Sequence, residues 1–224
     1  MTKPVVRGVI FDCDGVLVDT ETLANEVLTD LLCSYGCPMD SEKTHDYFLG
    51  GTLASVGPEM AARFGVTLPE NWVDECYKRT FVAFQNSLEP FPDLAPILDL
   101  LDHHGIPMAI GSNGPHDKME VSLGKVGIKD RFGGRICSAH DVENAKPHPD
   151  VYLLAAERMG LPITDCVVVD DSQNGVRAGV ASGATTVGLV DITPAQYLRD
   201  AGAHFIANDH KDLHSLFESW ITAA

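Results

Sequence analysis

Residues 5–15 read Val5-Val6-Arg7-Gly8-Val9-Ile10-Phe11-Asp12-Cys13-Asp14-Gly15, a short β-branched run that stops on two acids and a glycine. The apolar part is too short for a helix and too continuous for a strand with one wet face, so it reads as a strand covered on both sides. Strands of that kind belong to parallel sheets, whose carboxyl ends face the crevice where ligands bind. Asp12 and Asp14 are therefore expected to meet a ligand.

Working outward, similar runs recur at 106–112, 134–138, 166–170, 184–190 and 204–207. Between the later ones lie helical periods. Leu94, Ile97, Leu98 and Leu101 are closed by Gly105, and Val151, Leu154 and Ala155 are closed by Gly160 with Pro162 beyond. Alternation of strand and helix predicts a doubly wound parallel sheet. It fails between about 20 and 89, where only helical spacings recur: Leu23 to Leu32 ending at Gly36, 55–64 before Gly65, and Trp72, Cys76, Thr80, Phe81 and Phe84. This predicts an all-helical cap at 20–89 inserted into an α/β core formed by 1–19 and 90–224. The chain re-enters the core through Glu89-Pro90-Phe91-Pro92, a stiff connector suited to one arm of a hinge. The aromatic stripe from Trp72 to Phe84 reads as the cap's own core.

Composition narrows the class. The 224 residues are 45% apolar, enough for a sizeable core. No run reaches the ~18 apolar residues of a membrane span, and no secretory signal pattern precedes the first strand, so a cytoplasmic protein is expected. The six cysteines, at 13, 33, 37, 76, 137 and 166, form neither a disulfide framework nor zinc knuckles and read as reduced thiols. Thirty-two acids against 16 bases give a net charge of −16, which argues against nucleic acid or an anionic membrane as a partner. A small anion would need a local cluster of positive charge. The histidines at 103, 104, 116 and 148 match no metal-site spacing and are assigned no ligand role.

Three strand ends converge on polar atoms: Asp12 and Asp14, then Ser112-Asn113, then Asp170-Asp171 after Cys166-Val167-Val168-Val169. Grouped carboxylates repel unless a cation holds them, and an all-oxygen set suits Mg²⁺ better than zinc or copper. Ala145-Lys146-Pro147-His148-Pro149-Asp150 adds a lysine on a proline-stiffened loop, fit to meet a phosphate at little entropic loss.

In this order, Asp12-x-Asp14-Gly15, Ser112, Lys146 and Asp170-Asp171 resemble the haloacid-dehalogenase-like hydrolase superfamily, in its branch of capped phosphatases, over nearly the whole chain. The resemblance implies a Rossmann-like core and a small phosphorylated metabolite as partner. It implies Asp12 as nucleophile, Asp14 as general acid and base, and Mg²⁺ held by Asp12, the Asp14 carbonyl, Asp170 and Asp171. Ser112, Asn113 and Lys146 would bind phosphate. Asp14 favours phosphoryl transfer over dehalogenation, which needs no protonated leaving group. Ser112-Asn113-Gly114-Pro115 with Lys118-Met119, and Val169-Asp170-Asp171-Ser172, are similar to the superfamily's bacterial 6-phosphogluconate phosphatases. Two alternatives stand beside a sugar-phosphate phosphatase that is a monomer or small homo-oligomer. One is a phosphomutase resembling β-phosphoglucomutase, weakened by Ala24 where that enzyme carries a histidine and by the lack of basic residues at 49–53. The other is a non-catalytic metabolite-binding protein on the same scaffold.

Gly50-Gly51 and Thr52 are expected to form a substrate-facing cap loop, because paired glycines allow unusual backbone angles and close approach. Replacing Gly50 and Gly51 by alanine should then slow turnover of the natural substrate more than that of a generic aryl phosphate. Steady-state kinetics with equal losses on both would remove the loop's part in specificity.

Overall fold

The computed structural model describes residues 3–48 and 53–221. They divide into two compact units, one reaching to Asp19 and resuming at Glu89, the other Thr20–Leu88.

The first unit is built on one six-stranded sheet: β1 (Gly8–Phe11), β2 (Met108–Ser112), β3 (Ile136–Ser138), β4 (Cys166–Asp170), β5 (Thr185–Leu189) and β6 (Phe205–Ala207), in the order β3-β2-β1-β4-β5-β6. Every pairing is parallel, and Ile10 lies between Ala109 and Val168. This is a Rossmann-like sheet, and its order reverses beside β1, where such sheets bind ligands. Burial explains the continuous apolar runs. All residues of β1, β2 and β4 are buried, because helices cover both faces. The first strand starts later than the apolar run suggested, since Val5 is exposed and precedes the ladder.

The helices of this unit are α5 (Leu94–His103), α6 (His116–Lys125), α7 (Asp150–Met159), α8 (Gln173–Ser182), α9 (Ala195–Asp200) and α10 (His210–Ile221). Gly160 ends α7 at φ 69°, a left-handed angle natural only to glycine. Between sheet and α7, Tyr152, Ala155 and Ala156 pack on Ile10, Ala109 and Val168. On the other side Phe11 meets Phe132 and Phe217 edge to face, each with centroids 6.5 Å apart.

The second unit is helical: α1 (Thr20–Ser34), α2 (Ser41–Phe48), α3 (Leu53–Phe64) and α4 (Trp72–Ser87). Leu28, Leu31 and Leu32 of α1 close a separate core with Val56, Met60, Trp72 and Cys76. Helix α2 has no counterpart in the sequence periods, because its residues are nearly all polar. Polar contacts hold it instead. Asp40 accepts the Lys43 N–H at 2.9 Å, Thr29 bonds Thr44 at 2.8 Å, and the Asn25 amide donates to the Ser41 carbonyl at 2.9 Å.

His210, at the start of α10, donates from Nε2 to the Val16 carbonyl at 2.7 Å and stacks on Phe91, with ring centroids 4.6 Å apart. It thus joins the loop after Asp14 to the connector at 90–92. Burial lowers its pKa below 6.5, against the opposing pull of the Val16 carbonyl and of Asp191, Asp93 and Asp209. The native state therefore resists a proton that the unfolded chain accepts, so this stabilisation is complete above 6.5 and is lost as pH falls through the lowered value. Denaturant melts across that range should show His210→Gln, whose amide can still reach Val16, with a flatter acid limb than the wild type. An unchanged slope would show that His210 does not set it.

Candidate active site

The register that pairs Phe11 with Val169 brings the ends of β1 and β4 together, and the Asp12 N–H donates to the Val169 carbonyl at 2.9 Å. Asp12 and Asp170 therefore leave the sheet side by side. Lys146 Nζ lies 2.9 Å from Asp12 Oδ1 and 2.8 Å from Asp170 Oδ2. Its own loop is fixed by Asn113, whose side-chain carbonyl accepts the Lys146 N–H at 3.0 Å and whose amide group lies 3.5 Å from the Lys146 carbonyl. Asn113 thus serves here to place the lysine. Ser112 is buried at the end of β2, where its Oγ accepts the Gly114 N–H at 3.0 Å.

Asp14 turns another way. The loop after it closes through Gly15 N to Val18 O at 3.0 Å, and its carboxylate meets Lys118 Nζ of α6 at 2.8 Å. Asp12, Asp170 and Asp171 each offer a carboxylate oxygen within 4.8 Å of the others. Two glycines make room for these acids. A Cβ on Gly15 would collide with the Asp171 carboxylate, and one on Gly175 with that of Asp170. Gly15 also has φ 73°, so both space and backbone demand glycine.

Burial first, then the charges of Asp170 and Asp14, raises the Asp12 pKa to about 7, with Lys146 opposing. Lys146 is drawn the other way: burial alone would lower its pKa, but Asp12 and Asp170 outweigh it and hold the ammonium charged. Lys118 is likewise raised, by Asp14 against burial. With all four carboxylates ionised, against two ammonium groups, the set would carry an excess of two negative charges, and burial together with that excess pushes Asp12 toward its protonated form. Asp12 Oδ1 is also buried without a hydrogen bond, because its approach to Lys146 has ion-pair distance but not hydrogen-bond geometry. A crowded, charge-heavy set of oxygen donors with one unsatisfied buried oxygen fits a hard divalent cation.

Among the residues singled out in the sequence, Asp12, Ser112, Asn113, Lys146, Asp170 and Asp171 come together at the strand ends, with Asp14 beside them on Lys118. Gly50, Gly51 and Thr52 lie outside the described residues. Cys13 is buried and burial pushes its thiol far up, in keeping with a purely packing role. His116 pairs with Asp141 at 2.8 Å. Sequence reasoning singled out Lys118 and Ser172 only through the family resemblance, without their partners, and did not single out Tyr152. Ser172 donates to Asp170 Oδ1 from N at 2.8 Å and from Oγ at 2.7 Å, and Tyr152 donates to Asp170 Oδ2 at 2.5 Å. The available signal for Tyr152 was a hydroxyl within the apolar stripe of α7, since a buried phenol needs a partner.

A family model for haloacid dehalogenase-like hydrolases matches residues 6–183. The 6-phosphogluconate phosphatase of Escherichia coli strain K12 is 30% identical over 179 residues, 80% of each chain. A HAD family hydrolase of Deinococcus radiodurans R1, solved with bound phosphate and sodium, superposes with a TM-score of 0.86 at 30% identity over 96% of each chain. A putative β-phosphoglucomutase of Thermotoga maritima gives 0.84 at 27% identity, over 95% of this chain and 99% of its own.

Gly175→Ala tests how tightly Asp170 is seated. Its Cβ must displace the carboxylate, so thermal or urea melts should show a loss of about 1–3 kcal/mol. A variant as stable as the wild type, with Asp170 unmoved in its crystal structure, would contradict this packing.

Proposed function

The chain belongs to the haloacid dehalogenase-like hydrolases, and from that premise we propose that it is a phosphatase acting on a small sugar phosphate or sugar-acid phosphate. The observation that carries this reading is Lys146 Nζ, bridging Asp12 and Asp170 at the mouth of the sheet. A carboxylate is repelled by a phosphate dianion, so attack by Asp12 requires positive charge at the place where the phosphoryl oxygens will sit. Lys146 stands there, and Ser112 can donate its hydroxyl hydrogen to a second oxygen.

Asp12 attacks phosphorus, the bond from phosphorus to the ester oxygen breaks, and Asp14 gives that oxygen a proton. Asp14 then takes a proton from water, whose oxygen attacks the phosphoryl group on Asp12 and releases inorganic phosphate. Lys118 holds the Asp14 carboxylate in place through both steps. The residues that would hold Mg²⁺ are Asp12, Asp171 and the Asp14 carbonyl, while Asp170, whose carboxylate already accepts four hydrogen bonds, would lend its charge from beside them. Such an ion supplies charge against the repulsion between nucleophile and phosphate.

Two observations support the substrate class: the relative named for 6-phosphogluconate, and a −16 chain that keeps its site lysines charged. The likeness to a putative phosphomutase makes mutase activity the second reading, against which stands Ala24. A helical cap at 20–89, with Gly50, Gly51 and Thr52 reaching the substrate, would provide the discrimination among sugars. The protein would act in the cytoplasm as a monomer or small homo-oligomer.

With Mg²⁺ and a panel of phosphorylated metabolites, the wild type should release inorganic phosphate. Asp12→Asn should lower that release by on the order of a thousandfold or more while its circular dichroism stays unchanged. Chelation should silence the wild type, and added Mg²⁺ should restore it. Normal turnover by Asp12→Asn defeats the mechanism, and an isomerised sugar phosphate in place of free phosphate selects the mutase.

A further inference from the structure

Asp170 is held by four donors. Its Oδ1 accepts Ser172 N and Oγ at 2.8 and 2.7 Å, and its Oδ2 accepts Lys146 Nζ at 2.8 Å and the Tyr152 hydroxyl at 2.5 Å. A carboxylate has about four acceptor positions, so the set is full. Tyr152 is wholly buried, and its ring also lies under the lysine, with Nζ 4.7 Å from the centroid. The backbone of β2 is shaped to admit that ring: a Cβ on Gly111 would lie 2.8 Å from Tyr152 Cδ1.

Packing alone does not call for the hydroxyl. A phenylalanine would fill the same space and keep the ring beneath Lys146 without desolvating an O–H group. What phenylalanine cannot do is donate to Asp170. Without that donor a buried carboxylate oxygen has an open acceptor position, and the nearest mobile donor is another N–H of Lys146. The lysine has three hydrogens. One goes to Asp170, which leaves two to be shared between Asp12, 2.9 Å from the nitrogen, and a phosphoryl oxygen.

We propose that Tyr152 is a positioning residue whose hydroxyl, by occupying Asp170 Oδ2, leaves the Lys146 ammonium directed at Asp12 and at the phosphoryl group. This rests on the phosphatase reading and adds a residue to its machinery. Tyr152 touches no substrate and acts through Asp170 and Lys146.

Tyr152→Phe tests it, with an aryl phosphate, Mg²⁺ and inorganic phosphate as a competitive inhibitor. A hydrogen bond to a charged group of this kind corresponds to on the order of a tenfold to hundredfold effect. The expected result is a fall of that size in kcat and weaker inhibition by phosphate, with the melting temperature close to that of the wild type. In an Asp170→Asn background the same substitution should lower kcat by less than about twofold, because the route through Asp170 is already broken. A residue that only packs would leave kcat and phosphate inhibition at wild-type values, and that result overturns the proposal, as would losses that simply multiply in the double variant. Should Tyr152→Phe fail to fold, 3-fluorotyrosine at position 152, which keeps the ring and hydroxyl but alters its strength as a donor to Asp170, should still shift kcat and phosphate inhibition, and values unchanged from the wild type would overturn the proposal. If Asp12→Asn turns over normally, the phosphatase reading itself fails. If Asp12→Asn is inactive while Tyr152→Phe matches the wild type, only the role of Tyr152 fails.

Discussion

The structure depends on one buried ammonium group held between a buried carboxylate, Asp170, and a partly buried one, Asp12. Lys146 lies between Asp12 and Asp170, and all three side chains are largely removed from water. Taking such charges out of solvent is costly unless geometry and further hydrogen bonds compensate. The compensation is local and nearly complete at Asp170, where the backbone and hydroxyl of Ser172 and the phenol of Tyr152 join the lysine. It is incomplete at Asp12, whose buried Oδ1 has no hydrogen bond and whose pKa stands at about 7. The strain in the network is thus concentrated on the carboxylate assigned the attack on phosphorus.

Nothing in the side chains alone would keep these acids together. The backbone does so, through the parallel ladder between β1 and β4, which fixes Phe11 against Val169 and so places the next residue of each strand at the same edge. Asp12 and Asp170 occupy those next positions. Gly15 and Gly175 then clear the space that the carboxylates of Asp171 and Asp170 fill. A sheet buried on both faces is stiff, and stiffness lets like charges be held at distances they would otherwise increase. The core thereby supplies both the stability of the fold and the preorganisation of the site.

Much of this was legible in the sequence because strands buried on both faces, such as β1, β2 and β4, leave continuous apolar runs, and shorter runs of the same kind marked the partly covered β3 and β6. The ends of those runs located Asp12, Ser112 and Asp170, and the proline-flanked lysine located the cation. Strand starts were less legible. Val5 continues the apolar run of β1 yet is exposed, because pairing with neighbours, not hydrophobicity, decides where a ladder begins. Helix α2 left no period to read, since Asp40, Thr29 and Asn25 hold it by polar contacts. The pairing of Lys118 with Asp14 and of Tyr152 with Asp170 was hidden for a related reason. Each donor sits on a helix and reaches its carboxylate through tertiary packing, which residue spacing along the chain does not encode.

The charge of the whole chain and that of the site pull in opposite directions. A net charge of −16 repels an anionic metabolite at long range, yet at physiological ionic strength exposed charges are screened beyond about 8 Å. A phosphate that has come within that distance of the strand ends meets the local field instead. There Lys146 is charged because Asp12 and Asp170 hold it so, and Lys118 because Asp14 does. Two of the chain's 16 basic residues thus stand among the acids at the strand ends, where the phosphatase reading requires positive charge. The carboxylates that would repel the substrate are the same groups that keep the lysines charged enough to receive it.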